Sequence, residues 1–470
     1  MKKRILFFTL LILLSFNVFK DSFSIFFFQD DFFVLAASNI KNISGFINFF
    51  IPRSDVQFYR PLSHEIFFFL GRVLFQLNPI GFHTIAYVFY ILNILLVYVI
   101  AKKILKSKII ILTLVTCYAI SAVHYNSLFW IINFSYIEVT FFYLLGFIIV
   151  LSGIKKLYKA ALILIIYTMG LLSNEFMITF PLILLLYIFI IDRKELRNYL
   201  FILFSISGVS FMYLILRFIL FKPNYGSYQF IFDKSLISSY RWFTLFFFNW
   251  PETMKDHMIT FYKVSPGFLK SFSKEYYLFV VNLIIPILLC VIFPLLLIIR
   301  EKKLEKFIRS KIRIISFFIL WFLVTLAPII FIPSHISPHQ GSIALFGFLV
   351  LLFIPLDFIN KKKLNLIVMI ILFLVWTLGT SLTIDFNNKY HWIVRRSNIA
   401  RYWVDLAKKT YNKLPYAAVL IIPSEDKEVK VALSDGRAFE VYYNDSIKTI
   451  FSTDSAKLKT SSYFLLSNGT

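Results

Sequence analysis

Residues 1–35 read "MKKRILFFTLLILLSFNVFKDSFSIFFFQDDFFVL": a basic start, an apolar run, then two adjacent carboxylates among phenylalanines. How that run is read decides the fold. A secretory signal would end in small residues at a cleavage site, and none follows here, so the run is read as a retained span. Asp30 and Asp31 then emerge just past a membrane boundary. An unpaired carboxylate is expensive there, so the pair needs either water or a task.

The rest of the chain agrees with a membrane setting. Of 470 residues 59% are hydrophobic and 19% aromatic, and only 14 are glycine. The mean hydropathy is +0.77, far from a soluble domain. The formal charge of +24 is scattered in short runs between apolar segments. A nucleic-acid surface would gather it on one polar face, so that class is excluded. Cys117 and Cys290 lie in apolar stretches and read as packing residues, not as a disulfide or metal pair.

A hydrocarbon core about 30 Å thick takes roughly 17–25 apolar residues per helix. By that rule eleven spans are expected, near 5–20, 82–101, 108–123, 134–153, 160–173, 176–191, 199–221, 277–299, 313–332, 342–359 and 365–383. Alternate connections are basic: "KKILKSK" (102–108), "KKLYK" (155–159), "DRKELR" (192–197), "REKKLEKFIRSKIR" (300–313) and "KKK" (361–363). Short connections around 124–133, 173–175 and 333–342 carry no Lys or Arg. Positive residues stay cytoplasmic, which puts the N-terminus inside and the C-terminus outside, in a cell (inner) membrane.

The expected fold is an all-α polytopic membrane protein whose membrane domain covers 1–384, with a first outer loop at 21–81 and a large outer loop at 222–276. In the first loop "PLSHEIFFFLGRVLFQL" (61–77) is short and broken by polar residues, so it reads as an interfacial helix; "SYRWFTLFFFNWP" (239–251), flanked by tryptophans, reads likewise. Residues 385–470 form a small α/β extracytoplasmic domain. In it "SNIARYWVDLAKKTYNKL" has a helical period, while "AAVLIIP" and "VKVALSDGRAFEVYY" read as strands, the latter turning at Asp435-Gly436.

On the outer face the candidate site residues are Asp30, Asp31, Tyr59, Arg60, His64, His124, Glu175, Arg217, His335 and His339. Acids, cations and histidines at one membrane level suggest a cavity between helices. Glu175 is the most informative, because it occupies a turn too short to let its charge escape into bulk water. Pro338 disfavours the helix that would bring His335 and His339 to one face, so a histidine metal site lacks support.

The order of motifs resembles the GT-C integral-membrane glycosyltransferases, in particular the protein O-mannosyltransferase and TMTC-like branch. An acidic pair after the first span is followed by "FYRPL", an interfacial helix and "LNPIGFHTIAYVFYILNILLVYVI"; then come "AVHYNSLFWI", "LLSNEFMITFPLILL" and "LISSYRWFTLFFFNWP". The similarity covers about the first 380 residues. Asn174 stands where the family usually has lysine, and Asn126 where many members have an acid.

The resemblance implies a glycosyltransferase that moves a sugar from a polyprenyl-phosphate donor to a protein, lipid or glycan acceptor at the outer face. Asp30 or Asp31 would be the general base. Arg60 and Arg217 would face the leaving phosphate, with Tyr59, His64, His124, Glu175 and His339 orienting sugar or cations. No cofactor is implied with certainty, and a divalent metal on one carboxylate of the pair stays open. Besides donor and acceptor, the only partner expected is membrane lipid. The rival readings are a flippase or transporter for lipid-linked saccharides, which would carry inverted repeats and broken helices not evident here, and a polymerase sharing the same donor.

Overall fold

A computed structural model describes residues 2–40, 43–52, 58–219, 228–260, 263–359, 361–443, 447–452 and 463–465. The end of the span expected at 199–221, parts of the large outer loop (222–227 and 261–262) and parts of the tail (444–446, 453–462 and 466–470) lie outside them.

Ten helices among the described residues are long and apolar enough to cross a membrane: Lys2–Ser24, Pro79–Ile104, Lys108–Phe129, Ile131–Val150, Lys156–Ser173, Tyr199–Ile219, Pro266–Arg300, Leu304–Ile330, Pro338–Ile359 and Lys362–Tyr390. Glu175–Ile190 is apolar but shorter. Each coincides with one of the eleven expected spans, and the sixth is the short one. Local chemistry sets the ends. Asn78 caps the second helix by accepting the Ile80 N–H at 3.1 Å, with Pro79 at the first helical position. Lys102 and Lys103 close its last turn, favourably placed for the helix dipole.

The Lys108–Phe129, Ile131–Val150 and Pro338–Ile359 helices are mostly buried by their neighbours, whereas Lys2–Ser24 and Tyr199–Ile219 are mostly exposed. Leu6, Phe204 and Phe211 on the exposed helices face outward. In lipid such side chains lose nothing, and helix association rests on close packing instead. Gly347 supplies it at one crossing: a Cβ there would lie 2.5 Å from Trp321 Cδ1, whose indole N–H donates to Ile343 O at 3.0 Å.

One connection is fixed by polar chemistry at the basic end of the bundle. Asp357 accepts the backbone N–H groups of Lys106 and Ser107, both at 2.8 Å, and Lys311 Nζ at 3.2 Å. Pro266–Arg300 starts before the expected 277, bends at Phe272 and carries a π turn at Leu288–Ile292 just after Pro286.

The stretch 61–77 forms a π turn at Leu62–Ile66 that runs into a helix at Phe67–Phe75, and Ser235–Phe247 forms the second short helix. Past Tyr390 the Trp392–Thr410 helix leads to a parallel sheet. Its central strand, Val419–Ile422, lies between Lys448–Phe451 and Tyr463–Leu465.

The expectation of strands over 429–443 is wrong. That stretch forms the helices Lys427–Ala432 and Arg437–Tyr443. Val429, Ala432 and Leu433 are buried together, as are Ala438, Phe439 and Val441, so its apparent alternation also satisfies a helical period. Asp426 caps the first helix by accepting the Glu428 N–H at 2.9 Å, and Asp435 and Gly436, both at positive φ, turn the chain into the second.

Candidate functional site

One cavity of about 580 Å³ opens at the end of the bundle opposite the basic connections. The first loop gives it Asp30, Arg60 and His64; the start of the Ile131–Val150 helix and the residue before it give Ile132 and Trp130; Glu175, Arg217, Glu252, His339 and Arg396 add to its polar wall. Phe58, Tyr136, Tyr228 and Trp392 supply rings. Lys255 is the fourth cation, against the carboxylates of Asp30, Glu175 and Glu252.

Arg60 and Glu175 form its best-defined pair. Arg60 Nε donates to Glu175 Oε2 at 2.9 Å and Nη2 to Oε1 at 2.6 Å, a two-pronged contact suited to the guanidinium plane. Arg60 Nη1 also donates to Ser135 Oγ at 3.3 Å, and the group lies 4.4 Å from the Phe58 ring. Burial by itself lowers the Arg60 pKa, but the Glu175 carboxylate more than offsets this and raises it, so the arginine keeps its charge. The turn holding Glu175 is set by Asn174, whose side-chain Oδ1 accepts the Phe176 N–H at 3.1 Å and whose Nδ2 donates to Ser135 Oγ at 3.2 Å. Arg217 adds a second guanidinium over Phe58, at 5.3 Å.

The two aspartates part company. Asp31 is fully buried and outside the cavity; Oδ2 accepts the Phe28 N–H at 3.2 Å and Oδ1 the Ile132 N–H at 2.9 Å. Burial holds its carboxyl well above the usual range despite those bonds. Asp30 is exposed and lines the cavity. Partial desolvation by the surrounding protein raises its pKa, against the pull of Arg396 and a Gln29 hydrogen bond.

Glu252, His391 and Ser337 were not expected from the sequence. Glu252 Oε2 accepts Asn126 Nδ2 at 2.6 Å and Ser337 Oγ at 3.0 Å, and lies 3.3 Å from His391 Nε2. Ser337 Oγ is in turn 2.8 Å from His339 Nδ1. Burial pushes the Glu252 carboxyl up, but His391 and then Lys255 outweigh it and bring it down to about 2. Lys255 Nζ donates to Ile336 O. His335 stacks on Tyr228 with ring centres 4.0 Å apart. His64 lines the cavity with Nε2 buried and without a partner among the described residues, and burial with the nearby Arg60 holds its imidazole well below the usual pKa, hence neutral.

Of the expected residues, Asp30, Arg60, His64, Glu175, Arg217, His335 and His339 therefore meet in one cavity. Tyr59 points elsewhere, its hydroxyl donating to Phe50 O at 2.9 Å. His124 is packed between Tyr90 and Tyr118, with Nε2 3.1 Å from Tyr118 O. Glu252 and Lys255 left one trace in the sequence, the polar run "NWPETMKDH" (249–257) closing an aromatic helix. Trp392 and Arg396 left none, because they lie on the helix expected to belong to a separate tail.

Among the described residues no three His, Cys, Asp or Glu side chains are grouped to hold a metal ion. Asp31 commits both oxygens to backbone N–H groups, so the aspartate pair does not fit a divalent ion held between its carboxylates.

Fold and cavity define a multi-pass helical membrane protein with about ten candidate spans and a polar cavity at one end. Comparison with protein-family models, curated proteins and solved structures finds no match for the chain.

Proposed function

We propose that the cavity transfers a sugar from a polyprenyl-phosphate donor to a hydroxyl acceptor, the reaction implied by the resemblance to GT-C glycosyltransferases. One observation carries the reading: the Asp30 carboxylate shares a single cavity with four cations and a wall of aromatic rings. On the positive-inside count this is the extracytoplasmic end. A lipid-anchored phosphate presents its head group at that level, and rings such as Tyr228 and Trp392 offer faces for a sugar.

In this reading Asp30, and not Asp31, is the base. The acceptor oxygen attacks the anomeric carbon while its proton passes to the Asp30 carboxylate. The bond from that carbon to the phosphate oxygen breaks, and its electron pair leaves on the polyprenyl phosphate. A carboxylate with a raised pKa is the better base, and such proton transfer contributes about 10²–10⁴ in rate. The growing phosphate charge would be met by the cations of the cavity wall, Arg60, Arg217 and Lys255.

The test is purified protein in lipid vesicles with a set of radiolabelled polyprenyl-phosphate monosaccharides. Transfer of label to water or an added acceptor, lost in Asp30→Asn, is the expected result. Donor crossing the bilayer without any glycosyl transfer would replace this reading with a flippase.

A further inference from the structure

We infer that the segment after the last span is a clamp: Arg396 and the Ala432 carbonyl hold Gln29 in a strained backbone conformation and so aim Asp30 into the cavity. The inference rests on the reading of Asp30 as base. Gln29 has φ 51° and ψ −119°, a region that a residue with a Cβ adopts only when its surroundings force it. Here they do. The Gln29 N–H donates to Ala432 O at 2.8 Å, and Gln29 Oε1 accepts Arg396 Nη1 at 2.7 Å.

The clamp is itself braced. Arg396 grips Glu428 through Nε at 3.1 Å and Nη2 at 2.9 Å, and its guanidinium lies 5.0 Å from the Trp392 ring centre. The next residue, Ser397, accepts the Phe26 N–H through Oγ at 2.8 Å. Residues 25–28 belong to no helix or strand, and this bond serves the Phe26 N–H of that run. On the far side Asp31 is fixed to Ile132. Asp30 sits between the two anchors, and the direction in which it leaves the chain follows from the Gln29 torsions. Relaxing Gln29 to negative φ would give up the Ala432 bond or move Asp31 off Ile132.

Arg396 and Gln29 are thus positioning residues. Glycine takes the Gln29 torsions without strain, so it provides the decisive comparison. Glu428, outside the cavity, is changed to Gln to loosen Arg396, and Arg396→Lys, which keeps the charge but not the fork, serves as a second loosening variant. Both are made in the full chain with and without Gln29→Gly. Glu428→Gln should lower kcat roughly tenfold with KM little changed, as expected of a slightly misplaced base, and Gln29→Gly should restore most of it.

A second readout needs no sugar. Asp30→Cys provides a thiol in the cavity, the native cysteines being buried, and its rate of reaction with a water-soluble maleimide reports its aim. That rate should fall with Glu428→Gln and recover with Gln29→Gly. No change on loosening, or a loss that glycine does not repair, overturns the clamp. The labelling pattern without transfer in any variant or in the parent chain upholds the clamp and overturns the transferase reading.

Discussion

Asp31 Oδ1 accepts the Ile132 N–H at 2.9 Å across one hundred residues of chain, while its neighbour Asp30 turns into the cavity. Adjacent carboxylates thus divide between holding the loop and facing the cavity. Asp31→Asn keeps the shape, but its amide nitrogen cannot accept one of the two backbone N–H groups. An unsatisfied buried donor costs about 1–3 kcal/mol, so the melting temperature of this variant should fall clearly. Asp30→Asn should unfold no earlier than the parent chain while transfer is abolished.

The Asp30 shift gives a pH dependence of definite sign. Its carboxyl is raised above 3.8 in the folded chain, so the native state binds that proton more tightly than the unfolded state does. Ionisation therefore weakens folding as pH rises from 3.8 through the raised value. Asp30→Asn should melt higher than the parent chain near neutral pH, and the gain should vanish below about 3.8 in a melting series across pH.

Glu252 has the opposite sign. Its pKa falls from 4.5 to about 2, so its contribution is present above 4.5 and disappears as pH drops toward 2. Glu252→Gln should melt lower than the parent chain at neutral pH, with the gap narrowing along that acid range. A gap constant across pH would mean that Glu252 acts through packing alone.

Arg60→Ala would strand the Glu175 carboxylate, which is only 25% exposed, against the cavity wall. Breaking a buried pair in this way costs about 3–5 kcal/mol, and removing both partners should recover part of the loss. Lysine at position 60 should not rescue, because it cannot make the two-pronged contact. The double-mutant cycle, read by chemical or thermal unfolding, checks both statements.

Asp357 lies at the other end of the bundle, buried and bonded to Lys311 and to two backbone N–H groups. Asp357→Asn should destabilise the fold by about 1–3 kcal/mol, with any surviving folded protein transferring at the parental rate.

The spans were legible because a lipid core demands long apolar runs, and the sequence contains little else between its basic connections. The cavity was legible in part for the same reason: a charge such as Glu175 or Arg60 among phenylalanines has few structural uses. Glu252 escaped notice because its partners, Asn126, Ser337 and His391, come from three distant connections, and no local pattern announces such a convergence. Asn126 binds this carboxylate through its side-chain amide. The misreading of 429–443 has another origin. Val-Lys-Val and Phe-Glu-Val alternate as strands do, and only the Asp426 cap and the burial of Val429 with Ala432 and Leu433 separate helix from strand.

The cavity wall joins residues 29 and 30, just after the first span, to residues 392 and 396, just after the last. During synthesis the first of these leave the ribosome long before the last. The pocket is consequently completed only after every span has been made, and a product released early, before Trp392, would enter the bilayer with the carboxylate of Asp30 but without the wall that faces it.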